Sequence, residues 1–289
     1  MVNTMTNEYA AKVAKEITEM TGWRCEISEP SKNNVSLTGI IVHKDEDAFA
    51  HIVYVPDSVA YLTWDDLIEN DIKDAAQEYI ETINNTESGI EKINSIVTDK
   101  HEILKQVFFC LENRIWNNNS DLVSRSVGGD LQYIYKIDVS DIVGEGRMIT
   151  LTKEHLVKSG LTEEELYIAA LKNTPEKYPV SIEDITEILG GCTPIEGVPI
   201  YVISNNSRIL GATAITYPGV AEELEDIFGD FYILPSSVHE CIAIKAVNDN
   251  TKELCEMVRM INHDVVNPLE WLSDHIYKFD DGELISIEE

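Results

Sequence analysis

The densest run of reactive side chains in the sequence is Pro235-Ser236-Ser237-Val238-His239-Glu240-Cys241, placed where one apolar run turns into the next. A turn there could present Ser237, His239 and Glu240 to a cleft, with the imidazole titrating near neutrality and able to act as a base. A bland reading competes with it. In that reading the serines satisfy backbone groups of the turn, Val238, Cys241 and Ile242 pack, and His239 and Glu240 are surface polar groups. The His-Glu pair is not a zinc-protease motif, because H-E-x-x-H needs a histidine where Ala243 stands.

Other pairings carry less chemistry. His263 with Asp264, and Asp274 with His275, put imidazole beside carboxylate, yet adjacent residues diverge in direction and no third ligand accompanies either pair. His43 and His51 flank Asp45, Glu46 and Asp47, a run that reads as a solvated loop. The pairs at Gly128-Gly129, Gly144/Gly146 and Gly190-Gly191 lack the spacing that cradles phosphate and read as tight turns. No G-x-S-x-G elbow occurs. Trp64, Trp116 and Trp271 with Tyr232, Tyr277 and Phe279 could line a ligand groove, although aromatic residues at such spacing commonly form core. Neither a metal site nor a cofactor site is expected.

The elements that must hold these residues are short and mixed. A helix is expected over residues 7–21, with Tyr9, Val13, Ile17 and Met20 on one face and Gly22 to end it. Strands follow over 23–28, 35–42 and 50–55, then a helix over 63–83 capped by Thr63 or Asp65. Asn84-Asn85-Thr86-Glu87-Ser88-Gly89 reads as a linker. Beyond it, strands are expected over 107–111, 131–137 and 148–152, with a polar loop over 117–130. Thr162-Glu163-Glu164-Glu165 reads as a capping box, and Ser181-Ile182-Glu183-Asp184 as the start of a second helix that ends at Gly190. The last third alternates strands at 200–203, 209–215, 231–234 and 240–247 with helices at 220–228 and 251–262. It closes on a short helix led by Asn267-Pro268 and a strand pair around Asp280-Asp281-Gly282. Hairpins and helices without regular β-α-β spacing predict an α+β fold with a mainly antiparallel sheet and packed helices. Two subdomains are expected, 1–95 and 96–289, with the boundary between 85 and 104.

Composition narrows the function classes. The 289-residue chain carries 22 Lys and Arg against 52 Asp and Glu, a net charge of −30 spread along its length. Such a field repels nucleic-acid phosphates and anionic membranes, which are bound through clustered basic residues. No basic leader with an apolar run opens the sequence, and no stretch approaches the roughly 18 apolar residues of a membrane span. Five scattered cysteines, Cys25, Cys110, Cys192, Cys241 and Cys255, read as reduced thiols, so a cytoplasmic setting is expected.

Residues 151–179 (LTKEHLVKSGLTEEELYIAALKNTPEKYP), 211–244 (GATAITYPGVAEELEDIFGDFYILPSSVHECIAI) and 266–280 (VNPLEWLSDHIYKFD) together resemble a domain-of-unknown-function family of anaerobic Gram-positive bacteria and their mobile elements. The likeness covers most of the chain and is strongest from about 148 onward. It implies a bacterial setting and a shared fold, with regulation or counter-defence as roles suited to mobile elements, and it supplies no catalytic residues.

Two function classes remain. The favoured one is a non-catalytic, acidic module that engages a protein with a basic face. The alternative is a small hydrolase using the turn Ser236 to Cys241, with His239, Glu240 and Ser237 as its working groups. No oligomeric state is legible.

Overall fold

The computed structural model describes residues 4–33, 35–44, 51–61, 69–191, 199–246 and 251–287. The chain divides into two compact units, residues 1–92 and 93–289.

In the first unit, α1 (Thr4–Thr21) leads into β1 (Arg24–Ser28), the two-residue strands β2 (Ser31–Lys32) and β3 (Val35–Ser36), β4 (Gly39–His43) and β5 (His51–Tyr54). A 3-10 turn over Asp57–Tyr61 and α2 (Glu69–Thr98) follow. β1, β4 and β5 form an antiparallel sheet. Tyr9, Val13 and Ile17 of α1 pack with Ile40 and Val42 of β4 and with Ile72, Ala76 and Ile80 of α2. Met20, expected on that helix face, is exposed. The capping residues expected at Thr63 or Asp65 lie outside the described residues, as do Asp45 to Asp47 and Trp64.

Asn84 to Gly89 do not form a linker, because α2 runs through them as continuous helix. Asn and Gly each weaken a helix interior by about 1 kcal/mol at most. Ile83 before the stretch and Ile96 and Val97 after it are buried, and burying one such side chain contributes about 1.5–3 kcal/mol. Packing therefore overrides local preference.

The second unit opens with α3 (Lys100–Gln106), whose cap Asp99 accepts from the backbone N–H groups of His101 and Glu102. β6 (Phe108–Asn113), β7 (Ser124–Gly128), β8 (Leu131–Asp138) and β9 (Met148–Thr150) form an antiparallel sheet, with α4 (Ser140–Val143) before β9. β7 lies inside the expected polar loop. Its residues are Ser, Arg, Ser, Val and Gly, which carry little strand signal, and its pairing with β8 fixes it. α5 (Lys153–Ser159) and α6 (Glu163–Lys177) come next, the latter opening on the expected Thr162–Glu165 capping box. The outer edge of β6 is closed by side chains, since Thr174 accepts from the Phe109 N–H and Thr213 from the Leu111 N–H. An edge satisfied in this way offers no template for further pairing.

The largest sheet runs in the order β10 (Val180–Asp184), β11 (Ile200–Asn205), β13 (Glu240–Lys245), β12 (Phe231–Ser237), β14 (Ile276–Asp280) and β15 (Glu283–Ile287). Ser181 to Asp184 are thus strand, and the short helix α7 (Ile185–Ile188) begins only after them, capped by the Asp184 side chain. Residues 211–215, expected as part of a strand over 209–215, lie in a 3-10 helix over Gly211–Thr216. All five are buried, so no single face is marked out by burial. α8 (Val220–Phe228) covers one face of this sheet, with Leu224 and Phe228 packing beside Phe231, Ile233 and Ala243. α9 (Thr251–Asp264) covers the other, with Leu254 and Val258 against Leu234 and Ile276. The α+β class and the antiparallel sheets stand as expected.

Candidate functional site

The turn from Ser237 to Cys241 joins β12 to β13 at an irregularity between Pro235 and Ser237. Ser237 Oγ accepts from the His239 backbone N–H at 3.0 Å, a serine turn of the ordinary kind. His239 Nδ1 accepts from the Leu210 N–H at 3.2 Å, and its Nε2 stands 3.7 Å from a Glu270 carboxylate oxygen. Glu240 faces Arg208 at 3.8 Å, while the same guanidinium binds Glu183 at 2.7 Å. Cys241 is 2% exposed, and burial pushes its thiol well above the usual range, which leaves it un-ionised and unreactive at neutral pH. The reactive residue types are adjacent here, and among the described residues no nucleophile is hydrogen-bonded to the imidazole.

What His239 does is local. Leu210 adopts φ +53° and Arg208 φ +54°, a left-handed conformation that costs an ordinary residue about 1 kcal/mol or more. The His239 ring holds the Leu210 N–H, and the Asn205 side chain holds the Ile209 carbonyl. Together they clamp the loop between β11 and the 3-10 helix. His239→Ala is therefore expected to lower stability by about 1 kcal/mol, the cost of one part-buried donor left unpaired, as read from a urea unfolding midpoint. Unchanged stability would refute the clamp.

A second constellation was not legible as a unit. The Asp130 carboxyl group, 4% exposed, accepts from Asn113 Nδ2 at 2.6 Å and from Ser273 Oγ at 2.9 Å, and it also takes the Tyr277 hydroxyl. His275 Nδ1 lies 3.3 Å from it. Burial, and then the Asp130 carboxylate, push the Tyr277 hydroxyl far above its ordinary pKa, so it remains a neutral donor. Aspartate, histidine and serine together invite comparison with a hydrolase triad, but the geometry is wrong for one. Ser273 Oγ lies 3.4 Å from the same ring nitrogen, Nδ1, that meets Asp130, whereas a triad places serine and carboxylate at opposite ring nitrogens. Ser273 is also fully buried. The cluster is a cross-link between the β6 and β8 ends and the segment before β14.

The remaining pairs stay apart. Asp274 accepts from Asn262 while the neighbouring His275 turns to Asp130, and the exposed His263 and Asp264 stand 4.0 Å apart. Among the described residues, no group of three or more His, Cys, Asp or Glu side chains could hold a metal ion.

The concave feature with the most distinctive chemistry is a trough along the outer side of α8. Val220, Leu224 and Phe228 face the core, which turns Ala221, Glu222 and Glu225 outward. These three residues, the loop residue Asp230, the strand ends Phe231 and Tyr232, and the β14–β15 hairpin from Lys278 to Gly282 line a cavity of about 680 Å3. The hairpin is a two-residue Asp281-Gly282 turn with φ +49° and +80°, which suits the twist of antiparallel strands. Its rim carries Glu222, Glu225, Asp230, Asp280 and Asp281 against the single cation Lys278. Each of these six is exposed. A second cavity of about 420 Å3 shares Ala221, Glu222, Phe279 and Gly282 with the first and continues to Tyr133, Tyr167 and Tyr217.

A family model described as a family of unknown function, DUF5688, matches residues 6–281. The chain belongs to that family. No curated protein and no solved structure matches it. Membership relates nearly the whole chain to DUF5688 and brings no activity or residue role with it, so the functional reading of this DUF5688 chain rests on its own geometry. Phe279 and Tyr232, singled out in the sequence as groove aromatics, do line the trough, whereas Tyr277 is core and Trp116 packs edge-to-face on Trp271. Sequence reading missed the trough's acids because they come from α8, a loop and a hairpin about 50 residues further on. The Asp280-Asp281-Gly282 turn was their one local signal.

Proposed function

We propose that the chain is a non-catalytic binding module of the bacterial cytoplasm that engages the basic face of a protein partner, in a regulatory or counter-defence role. The observation that carries this reading is the trough beside α8, where five carboxylates and one lysine surround a cavity with Phe231, Tyr232 and Phe279 in its wall. An exposed ion pair contributes at most about 1 kcal/mol, but several exposed carboxylates around one concavity steer and hold a cationic surface together. The setting draws support from Cys25, Cys110, Cys241 and Cys255, which are free thiols, as expected of a reducing compartment. No helix of the described residues is long and apolar enough to cross a membrane.

The test is fluorescence anisotropy of a labelled decalysine peptide titrated with the full chain at low and at raised salt. Binding that weakens with salt is expected. The triple variant Asp230→Lys, Asp280→Lys, Asp281→Lys should weaken it by about tenfold or more. The control triple Glu145→Lys, Glu187→Lys, Glu256→Lys makes the same change in net charge at exposed positions that do not line the trough, and it should lose much less. Equal losses from the two triples, or no binding by the parent chain, would reject the reading.

A further inference from the structure

We infer that the occupant of the trough is an extended peptide segment in which a lysine or arginine stands beside an aromatic residue, rather than a uniformly basic surface. The inference rests on the binding-module reading and specifies its partner. The two cavities share Ala221, Glu222, Phe279 and Gly282 in their linings, which sets them side by side, so an extended ligand longer than either would reach both. Their chemistry differs from end to end. The first end is rimmed by carboxylates, which suits an ammonium or guanidinium group with an aromatic wall beside it.

The second end is lined by Tyr133, Tyr167, Tyr217, Ile215 and Pro218, with Arg125 among them and the exposed Glu283 at its edge. Arg125 does not make that end cationic. Its guanidinium lies 3.9 Å over the Tyr167 ring and binds Glu164 at 2.8 Å, so its charge is compensated and one of its faces covered. What remains is a recess walled by tyrosine rings with one carboxylate, Glu283, at its edge, against which a planar or large apolar side chain gains from burial in a way that a lysine chain does not. Tyr217, 5% exposed, borders it with a buried hydroxyl that has no hydrogen-bond partner among the described residues. An unmade bond of this kind is one that a bound polar group or an ordered water satisfies. A polylysine surface would fill the acidic end and leave the aromatic end empty, whereas a basic-aromatic segment uses both.

The experiment compares three labelled peptides of equal length on the full chain by anisotropy: lysines with serine, the same lysines with tryptophan replacing the serine, and tryptophan in a neutral background. The lysine-tryptophan peptide is expected to bind on the order of tenfold more tightly than the lysine-serine one, with the neutral peptide weakest. Ser126, exposed on β7, lines only the aromatic end. Ser126→Trp should fill that end from its rim and abolish the tryptophan gain while leaving lysine-serine binding nearly unchanged. A thermal melt checks that the variant folds. Equal affinities of the two lysine peptides, or a tryptophan gain that survives the Ser126→Trp substitution, would overturn the inference and leave the binding-module reading standing. Failure of both lysine peptides to bind would remove that reading together with this one.

Discussion

Gly128→Ala is expected to destabilise the second unit by about 3 kcal/mol or more, a large share of the roughly 5–15 kcal/mol that holds a domain folded. A Cβ built at Gly128 overlaps the carbonyl oxygen of Leu284 and lies 3.0 Å from its carbonyl carbon. Both atoms are backbone of β15, so no rotamer change relieves the clash, and β7 must move away from β15. The neighbouring residue is packed as closely, because Gly129 sits at φ +51° with its own built Cβ 2.7 Å from the Ser286 Cβ, so the close approach of the two strands spans both glycines. Gly144 makes the useful comparison. It has φ +105° and nothing within 4 Å of a built Cβ, so Gly144→Ala meets only backbone strain, of about 1–3 kcal/mol. Urea unfolding of the two variants separates steric from conformational cost. A Gly128→Ala protein within 1 kcal/mol of the parent would show that β7 and β15 are not held as described.

The Gly128-Gly129 pair also shows how far the sequence could be read. It is recognisable as a turn from residue type alone, but the reason for two glycines is a strand more than 150 residues away. Elements whose residues settle the matter locally were legible: the Thr162–Glu165 capping box, the apolar run of β8, the Asp281-Gly282 hairpin and the helix over 220–228. Where tertiary burial opposes local preference, the sequence misleads. Asn84 to Gly89 are turn formers held in a helix between segments with buried isoleucines, and residues 211–215, expected within the strand 209–215, close the β6 edge within a 3-10 helix. The same limit applies to the sites. The turn at 236–241 drew notice because its reactive types are contiguous, and contiguity is a poor guide to convergence. The trough and the Asp130 cluster are assembled from distant segments, and no local pattern announces either of them.

Asp130→Ala is expected to be among the most damaging single substitutions in the chain, at about 3–5 kcal/mol. The carboxyl group ends three side-chain hydrogen bonds, from Asn113, Ser273 and Tyr277, and faces the His275 ring. Truncation leaves those donors around a void that their neighbours only partly satisfy. Asn113 keeps the Leu272 carbonyl at 3.1 Å and the Tyr277 hydroxyl keeps Ser273 Oγ at 2.9 Å, but Ser273 loses both acceptors it has on Asp130. Each buried group left unpaired costs about 1–3 kcal/mol. Asp130→Asn keeps the shape and one acceptor oxygen while turning an amide donor toward other donors, so an intermediate loss of about 2 kcal/mol is expected. Tyr277→Phe removes a single donor and leaves the carboxyl group its other partners, for a loss of about 1 kcal/mol. The order Asp130→Ala, then Asp130→Asn, then Tyr277→Phe follows from counting what each change leaves unpaired. Denaturant unfolding of the three proteins measures it. An Asp130→Ala chain as stable as Tyr277→Phe would mean that the carboxyl group is not the hub that ties the β6 and β8 ends to the segment leading into β14.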